Sequence, residues 1–181
     1  MISSLLQKLQ RKSQLSTLNK HPKVKYGAVR MGVDNHFNIH PRAKNLTIGS
    51  KLNLRNYVHF FLGENAECVI EENVFMNNFC SVNCLQHIFI GENTLFGENV
   101  KIYDHNHVYT RSEPLQIKHQ EFTSAPIHIG KNCWLGSNVT ILKGVTIGDN
   151  AIIGAGCTIF KDVPANTTVV NSQVLIEKSR L

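Results

Sequence analysis

Ile129-Gly130-Lys131-Asn132-Cys133-Trp134-Leu135-Gly136-Ser137-Asn138-Val139-Thr140-Ile141-Leu142-Lys143-Gly144-Val145-Thr146-Ile147-Gly148-Asp149-Asn150-Ala151-Ile152-Ile153-Gly154-Ala155-Gly156-Cys157-Thr158-Ile159 is the stretch that decides the fold. A bulky aliphatic residue returns at every sixth position: Ile129, Leu135, Ile141, Ile147, Ile153 and Ile159. Four places after each stands a small residue or valine: Cys133, Val139, Val145, Ala151, Cys157 and Val163. Neither the helical period of 3.6 nor the alternation of a half-buried strand produces a strict six. A solenoid does.

The geometry behind that reading is simple. If each hexad forms one short strand and a corner, three hexads close a triangular coil, and Ile129 stacks on Ile147. The second inward position lies near a corner, where only a small side chain fits. Corners need unusual backbone angles, which Gly and Asn tolerate best. Asn132, Asn138, Gly144, Asn150 and Gly156 stand where such corners are required. Each coil touches only its neighbours, so stability accumulates along the stack.

The register continues upstream. Ile90, Phe96 and Ile102 form one set, and Ile70, Met76 and Val82 another, with Val74 and Cys80 in the small position. Ile48, Leu54 and Phe60 form an earlier, poorer set. The register slips by two residues before Ile90 and by four before Ile70, as small corner insertions would require. A third insertion is larger. After Ile102 the next in-register position is Val108, yet the pattern resumes at Ile129, which leaves 21 extra residues. A loop of that length in a regular array is commonly functional.

Composition narrows the class further. A chain of 181 residues that is 42% hydrophobic and 18% charged can bury a real core as one domain. No apolar run is long enough to span a bilayer and no leader pattern opens the chain, so the cytoplasm is expected. The net charge of +6 does not imply nucleic acid as a partner, because Lys and Arg are scattered rather than striped. An anionic small molecule or acidic glycan accounts for it as economically. The five cysteines lack metal-type spacing and read as reduced thiols. Cys80, Cys133 and Cys157 fall on the small inward position, which indicates packing rather than catalysis.

At the front, Ile2, Leu5, Leu6 and Leu9 have helical spacing, with Lys8, Arg11 and Lys12 on the polar side. Residues 1–20 are therefore expected to form a short amphipathic helix. It would pack on the β-helix or on a neighbouring subunit, or touch a membrane surface peripherally. Residues 21–181 are the expected β-helix domain, with its loop protruding at about 108–128 and a polar tail at Asn171–Leu181.

Asp104-His105-Asn106-His107 stands where the long loop departs, and Tyr109, Arg111, Lys118 and His119 lie within that loop. This motif follows Ile90-Gly91-Glu92-Asn93. It precedes the run from Ile129 to Gly136 and the closing stretches 144–150 and 161–166. Together these segments resemble the hexapeptide-repeat acetyltransferases over about residues 70–166. The resemblance implies an all-β, left-handed parallel β-helix. The hand comes from the resemblance alone, since the usual crossover rule favours the right-handed form.

The same resemblance implies acetyl-coenzyme A as co-substrate, no metal, and a sugar or polysaccharide acceptor. His107 matches the catalytic histidine of the galactoside- and maltose-type enzymes, and His105 is its alternative or its orienting partner. A neutral imidazole suits removal of a proton from a sugar hydroxyl near pH 7. Asn77 matches an asparagine that reaches the acceptor hydroxyl, and Trp134 the tryptophan that walls the site. Ser137, Ala155 and Gly156 would meet the pantetheine arm, and Lys161 would lie near the nucleotide end of coenzyme A. Relatives with this fold are homotrimers whose active sites lie between subunits.

Three departures from the galactoside and maltose types stand out. The N-terminal segment differs from theirs, the acidic sugar-contacting turn reads Leu85-Gln86, and the close reads Asn171-Ser172-Gln173. With paired histidines after an aspartate, the pattern is more similar to the O-acetyltransferases of capsular polysaccharide and lipopolysaccharide assembly. N-acetylation of an amino sugar would use the same groups. A zinc site of the carbonic-anhydrase-like β-helix kind needs convergent histidines at a spacing that His87, His105, His107, His119 and His128 do not reproduce. A non-catalytic scaffold would explain the repeats but not the motif standing in register with the loop.

Overall fold

The computed structural model describes residues 2–173. The polar tail beyond them lies outside the described residues, as do the side chains of Ile2, Leu5, Leu6, Lys8 and Arg11 in the N-terminal helix. Helix α1 runs Ile2–Lys20, and the chain then winds into three flat parallel sheets of six, seven and six strands. Within these three sheets each strand pairs with its counterpart one coil away, never with its neighbour in sequence. This is a parallel solenoid of about six turns, consistent with the left-handed β-helix implied above.

The first face is built from Val24–Tyr26, Asn45–Ile48, Glu67–Ile70, His87–Ile90, Ile127–Ile129 and Thr146–Ile147. The second runs from Val29–Met31 through Leu52–Leu54, Phe75–Met76, Leu95–Phe96, Trp134–Leu135 and Ile152–Ile153 to Thr168–Val169. The third comprises His36–Ile39, His59–Leu62, Ser81–Cys84, Lys101–Tyr103, Thr140–Leu142 and Thr158–Ile159. The expected stacking is observed: Ile129 pairs with Ile147, Ile90 with Ile129, and Ile102 with Ile141. All six bulky and all six small positions of the 129–163 stretch are buried. A further coil, Val24–Ile39, precedes the earliest one expected from the hexads, and its Phe37 ring stacks flat on Phe60 at 5.0 Å.

Corners explain much of the asparagine content. Where the first face turns into the second, Asn73, Asn93, Asn132, Asn150 and Asn166 all have positive φ. Their side-chain amides hydrogen-bond from coil to coil, as in Asn73 to Asn93 at 2.8 Å and Asn150 to Asn166 at 2.9 Å. Asparagine adopts this backbone region more readily than other residues with a Cβ, and its short amide can bond its neighbour there. The corner between second and third faces follows the same rule in its later coils, with Asn99, Asn138 and Gly156. In earlier coils it carries Tyr57 and Phe79 at φ 60° and 62°. A bulky residue costs about 1–2 kcal/mol there.

Helix α1 lies across the open end of the first coil. Leu18 is fully buried and Leu15 packs beside it on the core. Gln14, with its amide carbonyl turned inward, accepts from the Asp34 and Asn35 N–H groups at 3.0 Å each. The helix thus covers the apolar end that a solenoid otherwise exposes. Among the described residues no helix is long and apolar enough to cross a membrane.

All five cysteines are free and buried. Burial pushes the Cys68 thiol up to about 12 and Cys80 to about 11, and raises Cys84 and Cys133 as well. The folded state therefore favours the neutral thiol. That contribution to stability is complete below the ordinary thiol value of 9.0 and is lost as pH climbs through 11 and 12. We expect no thiol of the native protein to react with a soluble disulfide reagent at pH 8 within minutes, and the denaturation midpoint to fall steadily above pH 9. Rapid labelling of Cys68 in the native state would contradict this.

Candidate active site

The third face ends its fourth coil at Tyr103, and the next residue, Asp104, is fully buried. It stands one rung above Cys84 in an inward column that lower down holds Leu62. A carboxylate in an apolar column needs donors, and the corner below supplies them. Asp104 Oδ2 accepts from the Gln86 N–H at 2.7 Å and the His87 N–H at 3.1 Å, while Oδ1 accepts from Leu85 at 2.8 Å. Its backbone carbonyl accepts from the Ala125 N–H at 2.9 Å, where the insertion returns to the coil. One residue therefore ties the corner beneath to both ends of the insertion.

The insertion itself is an antiparallel hairpin, His105–Thr110 with Gln116–Ser124, which starts three residues before the expected loop boundary. Pairing runs regularly from His105–Ser124 to His107–Phe122 and resumes only at Val108–Lys118. Residues 119–121 are extra on one strand, a bulge that re-aims the side chains beside it. Lys143 fastens the returning strand, its Nζ donating to Thr123 Oγ1 at 2.5 Å.

The two candidate histidines have different surroundings. His105 is mostly covered, with its side chain 16% exposed, and Nδ1 lies 3.0 Å from Asp104 Oδ1. The Phe122 ring meets it edge-on at 5.3 Å. His107 is exposed, and its ring lies tilted against Phe122 at 4.6 Å. Its Nδ1 is 3.3 Å from the Lys118 carbonyl, which can only accept, so that contact requires the proton on Nδ1. The tautomer leaves Nε2 as a free acceptor.

A second feature lies on another face. Gly97, Trp134, Gly136, Ser137, Ile152 and Ala155 line a groove of about 320 Å³, closed on its upper side by Thr168 and Val170. Trp134 is half exposed over it. Gly136 allows the next coil to approach: a Cβ there would lie 2.6 Å from the Ala155 nitrogen. The walls are apolar and the floor is backbone, which suits an extended chain carrying amide groups.

Trp134, Ser137 and Ala155 thus line one groove. Gly156 stands at the rim in the left-handed conformation, φ 73°. Asn77 lies lower on the same corner, in the column of Gly97 and Gly136, with its amide oxygen accepting from the Asn78 N–H at 2.8 Å. Lys161 stands apart, beside a separate depression of about 230 Å³ beyond the third face, its Nζ 5.8 Å from the Phe160 ring. His105 and His107 sit at the corner between third and first faces, so within one chain they do not meet the groove. Ile152, Thr168 and Val170 were not singled out from sequence, although Ile152 follows Trp134 by one coil in register. Among the described residues, no group of three or more His, Cys, Asp or Glu could hold a metal ion.

By repeat and by architecture the chain is a hexapeptide-repeat β-helix. Residues 126–161 match the family described as bacterial transferase hexapeptide (six repeats). The chain is 31% identical over 113 residues to an Escherichia coli K12 protein provisionally assigned to lipopolysaccharide biosynthesis as the O-acetyl transferase WbbJ, covering 59% of this chain and 58% of that one. It is 37% identical over 120 residues to the galactoside O-acetyltransferase of the same organism, covering 66% and 57%. The chain therefore spans less than two thirds of either relative. Among solved structures, a maltose O-acetyltransferase from Clostridium difficile 630 superposes with a TM-score of 0.56 at 25% identity, covering 88% of this chain and 71% of that one.

Asp104→Ala would leave the Leu85, Gln86 and His87 N–H groups without their acceptor. We expect a loss of at least about 3 kcal/mol, with Asp104→Asn restoring part of it because one acceptor oxygen remains. Faster hydrogen exchange at those three amides and at Ala125 is the accompanying sign. Unchanged stability and exchange would refute the anchoring role.

Proposed function

We propose that this protein is an acetyl-coenzyme-A-dependent O-acetyltransferase acting on a hydroxyl of a sugar or surface polysaccharide, with His107 as general base. The observation that carries the reading is the exposed His107 imidazole, its Nδ1 occupied by the Lys118 carbonyl and its Nε2 free, on a hairpin held down by Asp104. The similarity to O-acetyltransferases and the backbone-floored groove beside Trp134 support it.

An alcohol is a poor nucleophile until its proton is leaving. His107 Nε2 takes that proton as the sugar oxygen attacks the thioester carbonyl. The tetrahedral species collapses to the acetyl ester, and the departing sulfur takes the proton back from the imidazolium. No covalent enzyme intermediate is needed. His105, locked to Asp104, keeps the root of the hairpin in place. Trp134, Ser137, Ala155 and Gly156 line the path of the pantetheine arm, and Lys161 offers a positive charge for the nucleotide phosphates. Asn77 orients the acceptor hydroxyl.

Because the hairpin and the groove stand on different edges of the prism, we read the complete site as shared. His107 of one copy faces Trp134 and Asn77 of the next, in a closed trimer.

The decisive assay mixes protein, acetyl-coenzyme A and a panel of bacterial glycans, and follows thiol release. We expect glycan-dependent release that falls about 10²–10⁴-fold in His107→Ala, with coenzyme-A binding retained. The acetylated product should be labile to mild alkali, as an ester is and an amide is not. Undiminished release from the variant, or no coenzyme-A binding by calorimetry, would overturn the reading. Mixed trimers offer a second check: combining His107→Ala with a variant whose groove is filled by Ala155→Trp, an exposed lining position, should recover activity that neither shows alone. If the site lay within one chain, no recovery would occur.

A further inference from the structure

The first three coils of the second face hold a polar hollow of about 280 Å³, separate from the groove beside Trp134. Arg30, Asn53, Arg55 and Asn56 line it, and Phe75 is part of its floor, with the Arg55 guanidinium 6.0 Å above the ring. Both arginines are exposed, and neither forms an ion pair among the described residues. Guanidinium groups present a planar fork suited to carboxylate or phosphate oxygens.

The corner beside the hollow carries the two bulky residues in left-handed conformation. Tyr57 and Phe79 follow Asn56 and Asn78, and the Asn56 N–H donates to Asn78 Oδ1 at 3.1 Å, which ties the two corners together. Their rings lie 5.1 Å apart and 4° from parallel, and both are exposed. In later coils the same corner carries Asn99, Asn138 and Gly156, residues that meet its backbone requirement at little cost. The ring ladder stops at Phe79. The Asn99 amide above it is turned to Asn138, at 2.8 Å, so no further ring covers the outer face of Phe79. Coils repeat at about 4.8 Å, close to the thickness of a pyranose ring. Strain kept at exposed aromatic positions points to use of the rings rather than to folding.

We propose that this hollow and its aromatic corner bind an anionic saccharide, its carboxylate or phosphate on Arg30 and Arg55 and the apolar face of a sugar ring on Phe79. The inference extends the glycan-acceptor reading above by naming the acceptor's chemical class. Asn77, assigned there to the acceptor hydroxyl, belongs to the same turn as Phe79.

The test is calorimetry on the full chain with three probes: oligogalacturonate as carboxylate source, UDP-glucose as phosphate source, and maltohexaose as the neutral control. At least one charged probe should bind ten times or more tightly than maltohexaose, the tighter of the two identifying the anion, and binding should weaken with added salt. Arg30→Gln with Arg55→Gln should lose that preference. Tyr57→Asn with Phe79→Asn should weaken the charged probe several-fold without lowering the melting temperature, because asparagine suits this backbone. Equal affinity for the neutral glycan, no binding of either charged probe, or binding untouched in both double variants would overturn the proposal. So would a change of solution mass in the Tyr57/Phe79 variant with glycan affinity intact, which would make the rings a subunit contact. Coenzyme-A binding, measured in parallel, separates the two readings. Charged-glycan binding without acetyl transfer leaves this inference standing alone, and acetyl transfer confined to neutral sugars leaves only the other.

Discussion

A chain that must lay parallel strands directly above one another has to turn sharply at every corner, and the backbone there enters the left-handed region. The rest of the molecule depends on that requirement. It explains the column of asparagines from Asn73 to Asn166, whose amides bond from coil to coil. Because the corners are fixed, the strands between them are short and flat. Inward side chains such as Ile90, Ile129 and Ile147 then fall directly on one another. Burial of these stacks supplies the stabilisation, while the backbone bonds between coils hold the register.

The part of the fold most legible in the sequence is the part where this constraint acts without interruption. From Ile129 to Ile159 no corner carries an extra residue, so the period shows directly. Legibility fails where corners are longer. The coil at Val24–Ile39 contributes Met31 and Phe37 to the core, but uneven spacing hides its period, and Pro22 and Pro41 set it off from what precedes and follows. The hairpin is readable as an insertion and not as paired strands, because no residue in its strands is fully buried, most are exposed, and nothing enforces an apolar alternation.

The candidate site divides in the same way. Trp134, Ser137 and Ala155 could be found because they sit at known steps of the repeat, and the structure joins them in one groove. Asp104 is different. A sequence shows an acidic residue in a polar motif, and only the fold reveals that its carboxylate lies in an apolar column and receives three backbone N–H groups. The separate roles of His105 and His107 follow from the same geometry. One ring is held against a buried anion, and the other is turned outward by a bulge that no local pattern announces.

All the extra length between coils collects at the corner where the third face returns to the first: the turns at 40–44, 63–66 and 85–86, and then the hairpin. Closing a longer loop between fixed ends costs only about 0.6 kcal/mol for each doubling of its length. The other two corners carry the asparagine ladder and the groove, and tolerate little change. The molecule therefore keeps one edge on which segments can be lengthened, shortened or exchanged over evolutionary time without moving a rung of the core. A lineage carrying this scaffold can change what it recognises at that edge while leaving the opposite groove untouched.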